Sequence, residues 1–380
     1  MYSRLITHSS NKSFFLFGPR GTGKSSWVKA SFPDAVYLDL LESELFVALT
    51  ANPGKLSQYI PKNFSGWIII DEVQKIPALL DEVHRLIEKD KQKFILTGSS
   101  ARKLKRTSSN LLAGRALTLN LHPLTRLELA RDYKLEHSLQ YGQLPCVYTE
   151  SDPKAYLQSY VKTYLQEEIQ QEGLTRNIGA FARFLEAASF SQGSALNISA
   201  VARECSVERK VVEQYFVILE DLLLANRLPV FSKRAKRRMI DHPKFYFFDA
   251  GVYRTLRPKG PLDRPEEIDG HALETLLFQE LRAINDYHKL DFKLYYWKTS
   301  TSLEVDFVLY GERGIFAFEV KREGKVRPES LRGLRAFLKD YPEARTYLIY
   351  CGDRVMKDGS IEILPFEHCV GHLTEILTTK

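Results

Sequence analysis

The stretch Gly18-Pro19-Arg20-Gly21-Thr22-Gly23-Lys24-Ser25 directly follows the apolar run Phe14-Phe15-Leu16-Phe17, and it most narrows the folds open to this chain. A glycine, four free positions and then Gly-Lys-Ser is the spacing of a phosphate-binding loop. Glycines permit the backbone to wrap a phosphate with its N–H groups pointing inward. Lys24 supplies a point charge for the β- and γ-phosphates, and the Ser25 hydroxyl is a magnesium ligand. The flanks agree. Phe14–Phe17 reads as a buried strand, and residues 25–30 read as the start of a helix whose positive end faces the phosphates. The expected cofactors are ATP and Mg2+, held by Gly18 through Ser25.

A second segment supports the first. Trp67-Ile68-Ile69-Ile70-Asp71-Glu72 is an apolar run ending in two carboxylates. Such a run suits a central strand of a parallel sheet, and ligands of such sheets bind at the carboxyl ends of the strands. Asp71 is the expected magnesium ligand, directly or through water, and Glu72 the expected general base for the attacking water. A third strand, Phe94-Ile95-Leu96-Thr97, ends in Gly98-Ser99-Ser100. Thr97, with Ser99 second, is the hydroxyl expected to orient that water; a plain Gly-Ser turn is the other reading. Residues 102–115 then hold five basic residues and no acidic one, ending in Leu111-Leu112-Ala113-Gly114-Arg115. Arg115, just before the strand expected at 116–119, can reach a neighbouring subunit's nucleotide and stabilise the charge of phosphoryl transfer. A solvated basic loop accounts for the run equally well.

Composition excludes some classes. No apolar run is long enough to span a bilayer, and the first residues lack the apolar core of a secretory signal, so no membrane partner and a cytoplasmic setting are expected. Cys146, Cys205, Cys351 and Cys369 form no CxxC pair, which points to reduced thiols and not to a zinc site. The net charge of +7 permits a nucleic-acid partner.

Residues 1–130 alternate apolar strands with amphipathic helices, as in a parallel α/β sheet. Leu79, Val83, Leu86 and Ile87 recur at helical spacing. Residues 131–260 read as a helical and winged-helix region. Tyr156, Tyr160, Tyr164 and Ile169 form one stripe, and Phe181, Phe184, Leu185 and Ala188 another. Residues 197–207 read as a capped helix and a tight turn before a second helix at 208–224. A basic run follows, with Lys233, Arg234, Lys236, Arg237 and Arg238 and no acid between 226 and 240, and then the strand expected at 244–249. DNA is the expected partner, with the wing on phosphates. Glu208, Glu213, Glu220 and Asp221 on the second helix suit phosphate poorly, which leaves open a fold used for protein packing.

Residues 261–380 follow a different logic. A helix with Glu274 and Glu280 precedes three expected strands at 292–297, 303–309 and 315–321, the last two joined by Gly311-Glu312-Arg313-Gly314. Glu319 and Lys321, two apart on one strand, share a face. With Asp306 on the paired strand they form a metal-nuclease pattern: carboxylates for magnesium, and Lys321 to position a water. Glu274 can complete the set from the helix. Salt bridging between strand residues, or a nuclease fold that has lost cleavage, is the competing reading, and a mainly structural domain with weak or absent cleavage is expected.

The chain as a whole resembles a large family of prokaryotic AAA-superfamily ATPases whose C-terminal half is catalogued as a domain of unknown function. GPRGTGKS, IIIDEVQKIP, LTGSS, LAGR followed by LHPL, KFYFFDAGV, EVDFVL and FEVK carry the resemblance, in this order. It implies an ATPase core, a winged-helix middle and a C-terminal domain similar to PD-(D/E)xK nucleases. It also implies a homo-oligomer, a hexameric ring being favoured, with nucleotide between subunits. Carried over, Lys24 and Ser25 bind nucleotide, Asp71 and Glu72 serve magnesium and catalysis, Thr97 is the sensor and Arg115 the candidate finger. Glu274, Asp306, Glu319 and Lys321 are the nuclease-like site, with Val305 standing where the nuclease motif has proline. The fold class expected is α/β. The function expected is ATP hydrolysis by an oligomer that remodels branched or duplex DNA. The alternatives are an ATP-regulated metal-dependent nuclease and a signalling ATPase that acts on protein partners.

Overall fold

The computed structural model describes residues 2–8, 11–100, 112, 114–164, 177–261 and 263–379. Ile169, Leu111, Ala113 and the basic residues at 102–106 lie outside them. The chain divides into two compact units, one of residues 6–122 with 221–223, the other of residues 1–5, 123–220 and 224–380.

The first unit is built on a five-stranded parallel sheet. Its strands are β1 (Ser13–Phe17), β2 (Val36–Asp39), β3 (Trp67–Asp71), β4 (Lys93–Gly98) and β5 (Ala116–Asn120), in the spatial order β2-β3-β4-β1-β5. The apolar runs dictate this layout. Ile68, Ile69 and Ile70, like Phe94, Ile95 and Leu96, are buried on both sheet faces, as continuous rather than alternating runs require. β5, at the edge, leaves Leu117 exposed. The amphipathic spacing at 79–87 becomes the helix Leu79–Asp90. Its Leu79, Val83 and Leu86 pack on Leu38, Ile68, Ile70, Phe94 and Leu96, each fully buried side chain contributing about 1.5–3 kcal/mol. β4 lies between β1 and β3, so the phosphate loop and the acidic strand end flank the end of β4.

In the second unit the helix Ile178–Ser189 buries Phe181, Phe184, Leu185 and Ala188, as their spacing predicts. Of the tyrosine stripe, Tyr160 is buried and Tyr156 half-buried. The helices Ile198–Glu204 and Arg209–Asp221 follow, the first capped by Asn197, whose side chain accepts from Ala200 N at 3.0 Å. A small antiparallel sheet joins β6 (Ser194–Ala195), β7 (Ala225–Leu228) and β8 (Lys244–Phe247) in the order β6-β8-β7.

The last third forms a mixed six-stranded sheet, β13-β14-β12-β11-β10-β9. Its members are β9 (Lys293–Lys298), β10 (Glu304–Gly311), β11 (Gly314–Lys321), β12 (Arg345–Tyr350), β13 (Met356–Asp358) and β14 (Ile361–Pro365). β10 and β11 are the hairpin expected from the glycine pair, with Gly314 at φ 122. On one face Phe307 stacks on Phe278 of the helix Pro265–Tyr287. On the other, Val308 packs with Leu334 and Phe337 of the helix Arg332–Asp340.

The candidate nucleotide site and a second charged cluster

The phosphate loop is shaped by its glycines. Gly21 and Gly23 lie in the left-handed region, at φ 84 and 90, where a Cβ costs about 1–2 kcal/mol. At Gly18 a Cβ would stand 2.4 Å from the Leu121 carbonyl oxygen. Pro19 is buried, Arg20 half-buried, and the buried Thr22 hydroxyl donates to Pro19 O at 2.8 Å and braces the turn. Lys24 is only 6% exposed, and its ammonium donates to Gly18 O at 2.7 Å and Pro19 O at 3.2 Å. The charge therefore sits inside the loop. The helix Lys24–Ser31 opens behind it with no acidic residue in its first turn and no side-chain cap. Its positive end is suited to an anion.

β3 delivers the carboxylates. Asp71 is buried, and its two oxygens accept from Tyr37 and Thr97. The Thr97 hydroxyl also accepts from Glu72 N at 3.3 Å. The parallel order brings these together: Thr97 on β4 follows the partner of Ile70, and Tyr37 on β2 lies two positions before the partner of Asp71. The Ser25 hydroxyl also acts on this phenol, so Tyr37 lies between the two expected magnesium ligands. Burial, and after it the hydrogen bond to Asp71, pushes the Tyr37 hydroxyl well above its ordinary range, which keeps it a donor.

Glu72 is held differently. Its backbone adopts φ 60 and ψ 42, a left-handed conformation that costs a side-chain-bearing residue about 1–3 kcal/mol and that clusters at functional sites. Gln74, buried, donates to the Glu72 carboxylate and to Ser99 Oγ, the latter at 3.2 Å. Ser99 thus orients Gln74, whereas Thr97 bonds the Asp71 carboxylate directly. The absence of a side chain at Gly98 makes room for Gln74, whose Oε1 would lie 2.7 Å from a Cβ there. Arg115 is exposed on the surface of this unit and paired with Glu88.

Tyr37 and Gln74 are site residues that sequence reasoning misses. Gln74 stands inside IIIDEVQKIP, two positions after Glu72, and that proximity was the available signal. Tyr37 carries no motif. Its role appears only once β2 is known to pair with β3 in parallel, Tyr37 opposite Ile69.

The donor set fits a magnesium nucleotide: a glycine cradle, an ammonium inside it, and a hydroxyl and a carboxylate on either side of one phenol. Ser25 and Asp71 would hold the metal.

The basic run leads from β7 back to β8, and both its ends are pinned to the edge of the six-stranded sheet. Phe231 N donates to Tyr296 O at 2.7 Å, and Ile240 N donates to Lys298 O at 3.2 Å. Between them Lys233, Arg234, Lys236, Arg237 and Arg238 are all exposed. Arg237 pairs with Asp340 at 2.7 Å and Lys233 lies over the Tyr310 ring. On the helix Arg209–Asp221, Arg209 and Lys210 are exposed, but Glu213 and Glu220 take up Arg209 and Arg227.

The third group of expected site residues meets around a lysine that sequence reasoning uses only as the start of a strand. A shift of register between Val305 and Val308 re-aims the chain at Asp306. Lys244 of β8, 2% exposed, places its ammonium 2.9 Å from Asp306 Oδ1, 2.5 Å from Glu304 Oε1 and 3.9 Å from Glu274 Oε2. The other Asp306 oxygen accepts from Val320 N at 2.9 Å. Glu319 pairs with Lys321 at 2.7 Å, Lys298 reaches Glu304 at 2.5 Å, and Tyr246 donates to Glu274 at 3.0 Å. Burial, then the nearby Asp306 charge, raises the Glu274 and Glu319 carboxyls to about 8. Burial also works against the Asp306 charge, but Lys244 and Lys321 overcome it and hold that carboxyl below its usual range. Among the described residues no three carboxylate, histidine or cysteine side chains form a metal-holding group.

Residues 10–130 match a family model described as an AAA domain. Residues 132–263 and 269–369 match two domains of unknown function, DUF8612 and DUF4143. The chain is 26% identical over 348 residues to the uncharacterized protein Rv2008c of Mycobacterium tuberculosis, which covers 89% of this chain and 76% of that one. The uncharacterized protein Mb2031c of Mycobacterium bovis matches with the same figures. A solved structure of the Aeropyrum pernix ORC1 protein in complex with DNA is similar at 12% identity and a TM-score of 0.27, over 65% of this chain and 87% of that chain. Among the described residues no helix is long and apolar enough to cross a membrane. In sequence, residues 10–130 are similar to AAA domains.

Proposed function

We propose that this protein is an ATP-hydrolysing oligomer that acts on DNA, with remodelling of branched or duplex DNA as its use. The observation that carries the reading is the convergence of Lys24, Ser25, Asp71, Glu72 and Thr97 at the carboxyl ends of β1, β3 and β4. Bound there, Mg2+ neutralises phosphate charge. The loop amides and Lys24 hold and orient the β- and γ-phosphates. Glu72, kept in place by Gln74, accepts the proton of the attacking water, and Thr97 fixes Asp71 against it. Arg115, exposed and in a surface ion pair of the kind that contributes little, is the group offered to a neighbouring subunit's nucleotide. The five exposed basic residues between 233 and 238 support DNA as the partner, through phosphates and not base edges.

One experiment tests the whole: ATPase rate per chain against protein concentration, with and without duplex, single-stranded and four-way-junction DNA. The rate should rise with concentration and with DNA. Lys24→Ala should lose nucleotide binding, and Glu72→Gln should bind ATP yet hydrolyse it at least about a hundredfold more slowly. Wild-type turnover by Glu72→Gln would remove the base assignment, and indifference to all DNA forms would transfer the reading to protein partners.

A further inference from the structure

The cluster of Glu274, Glu304, Asp306 and Glu319 has the carboxylates of a metal site, but a side chain of the same molecule stands among them. Lys244 comes from β8, in the stretch before residue 263, and reaches the acids of the six-stranded sheet and of the helix Pro265–Tyr287. Its ammonium is buried and lies closest to the two carboxylates of β10. Most of the oxygens around it are committed. Asp306 gives one to Lys244 and the other to Val320 N, and Glu304 divides its pair between Lys244 and Lys298. Glu274 accepts from Tyr246, and Glu319 accepts from Lys321. Glu319 Oε2 is a buried oxygen that no hydrogen bond satisfies. Glu274 Oε1 has only His271 Nδ1 near it, at 3.8 Å. Two such oxygens are too few for a magnesium ion, which demands near-octahedral oxygen ligation.

We propose that Lys244 is a built-in cation that takes the place of a divalent metal in this domain, so that the nuclease-like site neither binds Mg2+ nor cuts nucleic acid. A doubly charged ion brought to the Asp306 carboxylate would meet the Lys244 ammonium, and the low dielectric around a side chain this buried strengthens that repulsion. The lysine also satisfies what the metal would otherwise satisfy. Carboxylates held this close repel one another without a cation between them. Removing the lysine alone therefore leaves an acidic pocket with no counter-ion, and a divalent cation is the simplest replacement.

The test counts Mn2+ bound by electron paramagnetic resonance on the full chain without nucleotide, in wild type, Asp306→Asn, Lys244→Met and the double variant. Wild type and Asp306→Asn should bind the same number. Lys244→Met should bind one more, and the double variant should lose it. Loss of one Mn2+ in Asp306→Asn relative to wild type overturns the proposal, as does Lys244→Met without a gain. Should Lys244→Met fail to fold, two wild-type measurements decide. Melting should be unchanged by EDTA, and incubation with Mg2+ or Mn2+ and several DNA forms should give no cutting. Metal-dependent cleavage lost in Asp306→Asn also overturns it.

Discussion

Tyr37 shows how much one hydroxyl can organise. It donates to Asp71 and Ser25 acts on it from the other side, so the phenol stands between the two groups that would hold magnesium. Tyr37→Phe removes that spacer and leaves the ring, with Lys29 above it at 4.2 Å, in place. A hydrogen bond to a charged group is worth roughly 1.5–3 kcal/mol. We expect the variant to bind ATP normally without Mg2+, and to need about ten times more Mg2+ for half-maximal hydrolysis. A Mg2+ titration at saturating nucleotide measures this; an unchanged midpoint would reduce Tyr37 to a packing residue. Glu72 is the complementary case. Its left-handed backbone is a strain that the Gln74 and Thr97 contacts hold in place, and no reading of the string IIIDEV foretells it.

At the scale of elements, the basic run is the most exposed cationic feature of the described residues that the DNA reading uses. Replacing Lys233, Arg234, Lys236, Arg237 and Arg238 with glutamine should weaken binding to all sequences alike. It should also flatten the dependence of affinity on salt, by up to about one unit of slope for each phosphate that is no longer neutralised. Fluorescence anisotropy across a salt series checks it, and an unchanged slope would remove the run from the interface. Elements with strong periodicity were legible in the sequence. The strands at 14–17, 67–71 and 94–98 announce themselves because burial on both faces demands unbroken apolar runs. The helix at 79–90 does so by its spacing, and the hairpin at 304–321 by its glycines. What stayed hidden is lateral. Which strands neighbour one another decides that Tyr37 meets Asp71 and that Lys244 meets Asp306, and such pairings between distant segments leave no local signal. The same holds for the docking of the basic run on β9, made by backbone groups of residues 231 and 240.

Over the whole molecule, buried carboxyls give stability a definite pH dependence. Glu274, Glu280 and Glu319 are raised to about 8, burial being the largest cause in each. Their ordinary value is 4.5, so between the two values the folded chain holds protons that the unfolded chain has released. Stability from this source is full at low pH and is lost as pH rises through about 8. The half-buried histidines His137 and His271 are lowered and act the other way, but only below their ordinary value of 6.5. The urea midpoint should therefore fall between about pH 6.5 and about pH 8 and level off above that, and a flat profile would show that these carboxyls ionise freely. The Lys244 cluster has a consequence in time as well as in space. The lysine is synthesised first, and Asp306 follows roughly sixty residues later, several seconds at about 5–20 residues per second on the ribosome. Until then β8 presents an ammonium whose two nearest carboxylates, Glu304 and Asp306, are not yet made. Burial of Lys244 is thereby tied to acids that come much later in the chain.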